Sequence, residues 1–105
     1  HPDVVAAHRD LLLSTPAAGY AGCCEAIAAM DLRADLAAVR APTLVIAAAD
    51  DPATPPEQAV AIAERIPSAR LVVIDDAAHL ANVEQPETVT RLLVDHLDPT
   101  GAVST

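Results

Sequence analysis

The sequence predicts an α/β protein in which two parallel strands are flanked by helices, and three observations carry that prediction. Residues 43–48 (Thr-Leu-Val-Ile-Ala-Ala) and 70–74 (Arg-Leu-Val-Val-Ile) are short runs that are apolar after their first residue. Such runs mark strands buried on both faces, as in a parallel sheet. Between them, Ala59, Ile62, Ala63 and Ile66 recur at helical spacing. Strand, helix, strand in this order makes one parallel crossover, expected to be right-handed.

The remaining elements follow in chain order. Residues 4–13 set Val4, Val5, His8, Leu11 and Leu12 on one helical face. Ser14-Thr15-Pro16 ends that helix and opens the next, because Ser and Thr cap helices and Pro fits a first turn. Residues 17–30 place Tyr20, Cys23, Cys24 and Ile27 on one stripe, and residues 31–39 repeat the pattern briefly with Leu32, Leu36 and Val39. At Arg40-Ala41-Pro42 the helical spacing gives way to the first strand. After that strand, Thr54-Pro55-Pro56-Glu57 puts Thr at a cap position, Pro behind it and Glu three residues on, which predicts a helix start. Pro67-Ser68 closes this helix, and Asp75-Asp76 forms a polar turn after the second strand. The last helix is expected from about Glu84-Gln85-Pro86, burying Val89, Leu92 and Leu93, with His96 and Leu97 as further candidates. Residues 98–105 read as a tail or the start of a linker.

Composition bounds the partners. The chain has 105 residues, 52% of them hydrophobic, and its one aromatic residue is Tyr20, so the single core it has room for must be built from small and aliphatic side chains. Six arginines, no lysine and fifteen acidic residues give a net charge of -9, which argues against nucleic acid or an anionic membrane surface as partner. No stretch reaches the roughly 18 apolar residues a membrane span needs, and His1-Pro2-Asp3 lacks the basic start of a signal peptide. Since residue 1 is not Met, the chain is expected to begin inside a longer reading frame. Cys23 and Cys24 are neighbours, and a bond between them would be strained and close no useful loop, so both are expected to be reduced thiols in a cytoplasmic protein.

Reactive groups in open α/β sheets lie just beyond the carboxyl ends of the strands. Here one such loop carries Asp50 and Asp51 and the other carries His79. With parallel strands the two loops emerge at one edge, where an Asp could fix the tautomer of the His and leave its other ring nitrogen to act as general base. By themselves these residues are a weak signal and fit better as a turn cap and a solvated loop histidine.

Resemblance adds to this reading. Residues 42–56, Pro-Thr-Leu-Val-Ile-Ala-Ala-Ala-Asp-Asp-Pro-Ala-Thr-Pro-Pro, resemble the seventh strand and acid loop of α/β-hydrolases, and residues 75–86, Asp-Asp-Ala-Ala-His-Leu-Ala-Asn-Val-Glu-Gln-Pro, resemble their histidine loop and final helix. With Gly19-Tyr20-Ala21-Gly22-Cys23-Cys24-Glu25-Ala26-Ile27 and Asp31-Leu32-Arg33, these stretches are similar to the 3-oxoadipate enol-lactonases in particular. The resemblance implies the C-terminal portion of an α/β-hydrolase fold. Residues 1–39 would be the end of a helical cap and the return to the core, 40–97 the C-terminal core segment, and 98–105 the tail or linker. It implies Asp51 as triad acid, three residues after Ala48, which takes the usual glycine position, with Asp50 as the close rival. It implies His79 as base.

The nucleophile is not within these residues. No Gly-x-Ser-x-Gly occurs, and Ser14, Ser68 and Ser104 lack the surroundings of a nucleophile elbow. The activity implied is hydrolysis of 3-oxoadipate enol-lactone to 3-oxoadipate in aromatic catabolism, with no cofactor. The partners implied are a small-molecule lactone and the missing N-terminal portion of the hydrolase. This chain alone is expected to be inactive. Rival readings are another cap-bearing hydrolase such as a carboxylesterase, or a noncatalytic remnant or interaction module. Cys23, Cys24, His8 and His96 are expected to pack rather than react. No His, Cys or carboxylate set has zinc spacing. Arg33 is expected in a surface ion pair, with a substrate carboxylate as the alternative.

Overall fold

The fold is described from a computed structural model, over residues 1–98. The expected tail lies, from residue 99 onward, outside the described residues. Two compact units divide at residues 32 and 33.

The first unit holds helices α1 (Pro2–Ser14) and α2 (Ala17–Ala29). Pro2 sits in the first turn of α1, where its missing N–H deprives no partner. Ser14 and Thr15 do not cap α2. Their hydroxyls turn back and donate to the Leu11 carbonyl at 2.8 and 3.0 Å, closing the end of α1, and Pro16 takes the cap position of α2 without a side-chain bond. Neither helix has a buried residue, and Tyr20, Cys23, Cys24 and Ile27 are all exposed, so the packing expected of that stripe is not formed within this unit.

In the second unit the short helix expected over 31–39 is a single 3₁₀ turn, Leu36–Ala38. Val39 is already extended on the way into the sheet, which leaves too few residues to close an α-helical nucleus. Strands β1 (Thr43–Ala48) and β2 (Ala69–Ile74) pair in parallel, in register from Thr43↔Ala69 to Ala48↔Ile74. Helix α3 (Pro56–Ala63) connects them. It starts at Pro56 with Pro55 in the cap position, so Thr54 is not its cap.

Burial deepens toward the carboxyl ends of the strands. Ala48 and Ile74 are enclosed, while Val73, in the middle of an apolar run, is 41% exposed. Burial on both faces therefore holds only for Ala47 and Ala48 at the end of β1. The core joins Ala48, Ile74 and Ala77, with Ile46, Ala81, Val89 and Leu92 packed against them. After β2 come the short helix α4 (Ala81–Glu84) and then α5 (Pro86–Leu97), with Pro86 in the first turn of α5. Val89 and Leu92 face the core, whereas Leu93 is 46% and Leu97 79% exposed, contrary to expectation. One helix lays a single stripe on the core, and Leu93 is turned about 100° from Leu92 around the axis. Among the described residues no helix is long and apolar enough to cross a membrane.

Candidate active site

The two strands end level with each other, and backbone pairing continues past them. The Ala49 amide donates to the Ile74 carbonyl and the Asp50 amide to the Ala77 carbonyl, both at 2.9 Å. The acid loop and the histidine loop are thus joined by backbone bonds. Ala77 is 1% exposed at this junction, where a side chain larger than a methyl would push the loops apart.

The chain then turns, with the Asp51 amide returning to the Ala48 carbonyl at 3.3 Å, and the Asp51 carboxylate points inward at 8% exposure. Asp50 is exposed, its amide committed to Ala77. Asp51 Oδ1 accepts the amides of Ala53 at 2.8 Å and Thr54 at 3.0 Å, and Oδ2 accepts the Thr54 hydroxyl at 2.6 Å. His79 Nδ1 lies 2.9 Å from Oδ2 and 3.1 Å from Oδ1. The structure therefore brings Asp51, not Asp50, to His79. The two hydrogen bonds from Thr54 hold the Asp51 carboxyl well below the usual carboxylate range, helped by His79 and Ala53 and opposed by burial. An ionised carboxylate only accepts, so the Nδ1 facing it carries the proton. The His79 side chain is 57% exposed, and among the described residues nothing hydrogen-bonds its Nε2. Such a pair can take up a proton at Nε2 while the carboxylate orients the ring and balances the charge that forms.

The histidine loop has its own supports. Asp76 stands at φ 52, in the left-handed region that a non-glycine residue adopts at a cost. The Gln85 side-chain amide donates to the carbonyls of Asp75 at 2.6 Å and Asp76 at 3.2 Å, and Glu84 Oε1 accepts the Ala78 amide at 3.1 Å. Glu84 and Gln85, read in the sequence only as a helix start, thus hold the backbone on both sides of the turn leading to His79. The signal that could have found them is their place directly before Pro86, although Gln85 Oε1 also accepts the Thr88 hydroxyl of α5 at 3.4 Å.

A cavity of about 330 Å³ opens beside the pair. Val45, Ala47 and Ile62 give it an apolar wall, and Asp51, Thr54 and His79 a polar one. A second cavity, lined by Arg33, Leu36, Gln58, Ala61 and Ile62, shares Gln58 and Ile62 with the first. Of the other sequence candidates, His8 bonds the Val4 carbonyl one turn back at 2.8 Å, and Cys23 and Cys24 are free thiols. His96 is half-buried on α5. Among the described residues no three His, Cys, Asp or Glu side chains are grouped to hold a metal ion.

Comparison with known proteins gives this geometry a context. Residues 5–86 match the family described as alpha/beta hydrolase fold. The chain is 45% identical over 76 residues to 3-oxoadipate enol-lactonase 1 of Acinetobacter baylyi, a match covering 72% of this chain and 28% of that relative. It superposes on the crystal structure of the enol-lactonase from Burkholderia xenovorans LB400 with a TM-score of 0.88 and 41% identity, over 91% of this chain and 36% of that one. It superposes on a thermophilic esterase from Thermogutta terrifontis with a TM-score of 0.63 and 42% identity, over 66% of this chain and 25% of that one. The chain thus spans about a third of the length of these relatives.

Proposed function

The chain belongs to the alpha/beta hydrolase fold family, and from that premise we propose that it is the acid- and base-bearing part of a lactone hydrolase that converts 3-oxoadipate enol-lactone to 3-oxoadipate. The observation that carries this is the Nδ1 of His79 set 2.9 Å from the enclosed, ionised Asp51. The enol-lactonases of A. baylyi and B. xenovorans support the choice of substrate.

In this reading a serine outside the 105 residues is the nucleophile. His79 Nε2 takes its hydroxyl proton as the oxygen adds to the lactone carbonyl. The ring C–O bond then breaks and the imidazolium returns that proton to the leaving enol oxygen, which leaves an acyl-enzyme. Water next gives a proton to Nε2 and adds to the acyl carbon. Cleavage of the ester returns the proton to the serine and releases the enol acid, whose hydroxyl proton shifts to carbon to give 3-oxoadipate. Asp51 stays ionised throughout, fixing the ring and stabilising each imidazolium. The expected partner of this chain is the remaining portion of the hydrolase, and the expected setting is the cytoplasm.

A second reading, a carboxylesterase, is supported by the likeness to the T. terrifontis esterase. Rates measured on the enol-lactone and on simple aryl esters, with the protein that carries both this chain and the nucleophile, separate the two. The lactonase reading expects kcat/KM to favour the lactone by about 100-fold, the scale on which pocket contacts discriminate. Preference for aryl esters would replace it with the esterase.

A further inference from the structure

Thr54 occupies a position that its sequence context assigns to helix capping, and the cap is not made, because α3 begins at Pro56 behind Pro55. Its hydroxyl goes to Asp51 instead. At 2.6 Å this is the shortest of the five contacts to that carboxylate, and it falls on Oδ2, the oxygen nearer to His79 Nδ1. The other oxygen, Oδ1, is served by the backbone amides of Ala53 and Thr54, which most residues at those positions would supply. The tasks therefore divide. Backbone fixes one oxygen, and the Thr54 side chain shares the other with the imidazole.

We propose that Thr54 is a positioning residue, whose hydroxyl locks the Asp51 carboxylate facing His79 and sets how strongly Oδ2 draws the Nδ1 proton. This rests on the reading of Asp51 and His79 as an acid–base pair. Two consequences come from the geometry. With three donors in place, the carboxylate plane cannot rotate without breaking a bond, so the ring is held in one orientation. The hydroxyl also draws charge from Oδ2, which weakens it as an acceptor for the imidazole. Both effects act on the reaction through His79, and Thr54 itself touches no reacting atom.

Thr54→Val keeps the shape of the side chain and removes the donor, and Thr54→Ser keeps the donor. The test reads the His79 Nδ1 nitrogen resonance of the full chain through the carbon-bound ring protons, with the ring neutral. Thr54→Val moves that resonance downfield, because Oδ2 is left with the imidazole alone and accepts more strongly, and Thr54→Ser restores it. Loss of an alkyl contact would not give this pattern. In the protein carrying the nucleophile, Thr54→Val lowers kcat about tenfold with KM within about twofold, since the lost bond acts on the pair rather than on substrate binding. Asp51→Asn separates the inference from its premise. If Asp51→Asn moves the Nδ1 resonance to the position of an unprotonated nitrogen while Thr54→Val leaves it in place, the Thr54 proposal is overturned and the pair stands. If Asp51→Asn also leaves it in place, the pair itself is overturned.

Discussion

Replacing Asp51 by Asn changes one atom and, on this geometry, should reverse the tautomer of His79. The carboxylate of Asp51 accepts from four groups: the amides of Ala53 and Thr54, the Thr54 hydroxyl and His79 Nδ1. An amide side chain has one acceptor oxygen and two donor hydrogens. If the oxygen takes the Oδ1 place it keeps both backbone amides, which leaves the NH₂ facing the hydroxyl and the imidazole. The hydroxyl can rotate and accept. Nδ1 can accept only by giving up its proton, so the ring carries it on Nε2 and can no longer serve as base. All four partners remain bonded, but to a neutral amide in place of the charge, so the fold should persist with some loss of stability at neutral pH. Catalysis should fall by about 10⁴ in kcat, or roughly 5.4 kcal/mol at 1.36 kcal/mol per decade, the loss seen when a triad histidine is held in the wrong tautomer. Nitrogen NMR of the chain reads the tautomer, and turnover by the protein carrying the nucleophile reads the rate. An Asp51→Asn variant that keeps the Nδ1 proton, or retains activity within tenfold, would refute the reasoning.

Three further outcomes follow from the same structure. Asp50→Asn should leave both tautomer and activity within about twofold, because Asp50 is exposed and contributes only its backbone amide to the site; a loss matching that of Asp51→Asn in the same assays would exchange their roles. Ile74→Ala removes three carbons from a residue only 4% exposed in a core otherwise made largely of alanine, and should cost about 3 kcal/mol. That is most of what so small a core supplies, so the cooperative urea transition should be lost or shifted far down, and a cost under about 1 kcal/mol would mean that this core is not the one that holds the unit. Because the Asp51 carboxyl titrates well below its unfolded counterpart, it contributes stability above the ordinary carboxylate range. That contribution declines as pH falls, since the unfolded chain takes a proton that the native one refuses. Urea midpoints measured from pH 7 to about 3 should therefore fall more steeply for the native sequence than for Asp51→Asn, and parallel curves would show that the Thr54 and His79 bonds do not hold the charge.

Much of the frame is legible in the sequence because apolar runs and helical stripes carry local information. β1 has the limits its apolar run predicts, β2 begins one residue earlier than expected, at Ala69, and Pro86 marks the start of α5. Where expectation and structure part, a side chain has a competing partner or a face has no neighbour. Thr54 looks like a cap from spacing alone, and only the approach of Asp51 across the loop reveals where its hydroxyl goes. Ser14 and Thr15 close one helix rather than opening the next, a choice that both hydroxyls offer equally in sequence. Val73 and Leu93 are apolar yet exposed, Leu93 because α5 lays only the stripe of Val89 and Leu92 on the core. The preference for Asp51 over Asp50 rests on the resemblance and its spacing from Ala48, because the two adjacent residues of the turn differ by direction rather than position. The Ala49 and Asp50 amides, bonded to Ile74 and Ala77, set that direction.

The central claim is that His79, oriented by Asp51, moves the protons of lactone hydrolysis. It is tested most directly by measuring kcat for 3-oxoadipate enol-lactone with His79→Ala in the protein that carries both this chain and the nucleophile. The geometry predicts a loss of at least about 10³-fold, with the fold intact because the His79 side chain is 57% exposed and packs into no core. Turnover within about tenfold of the native protein would contradict it.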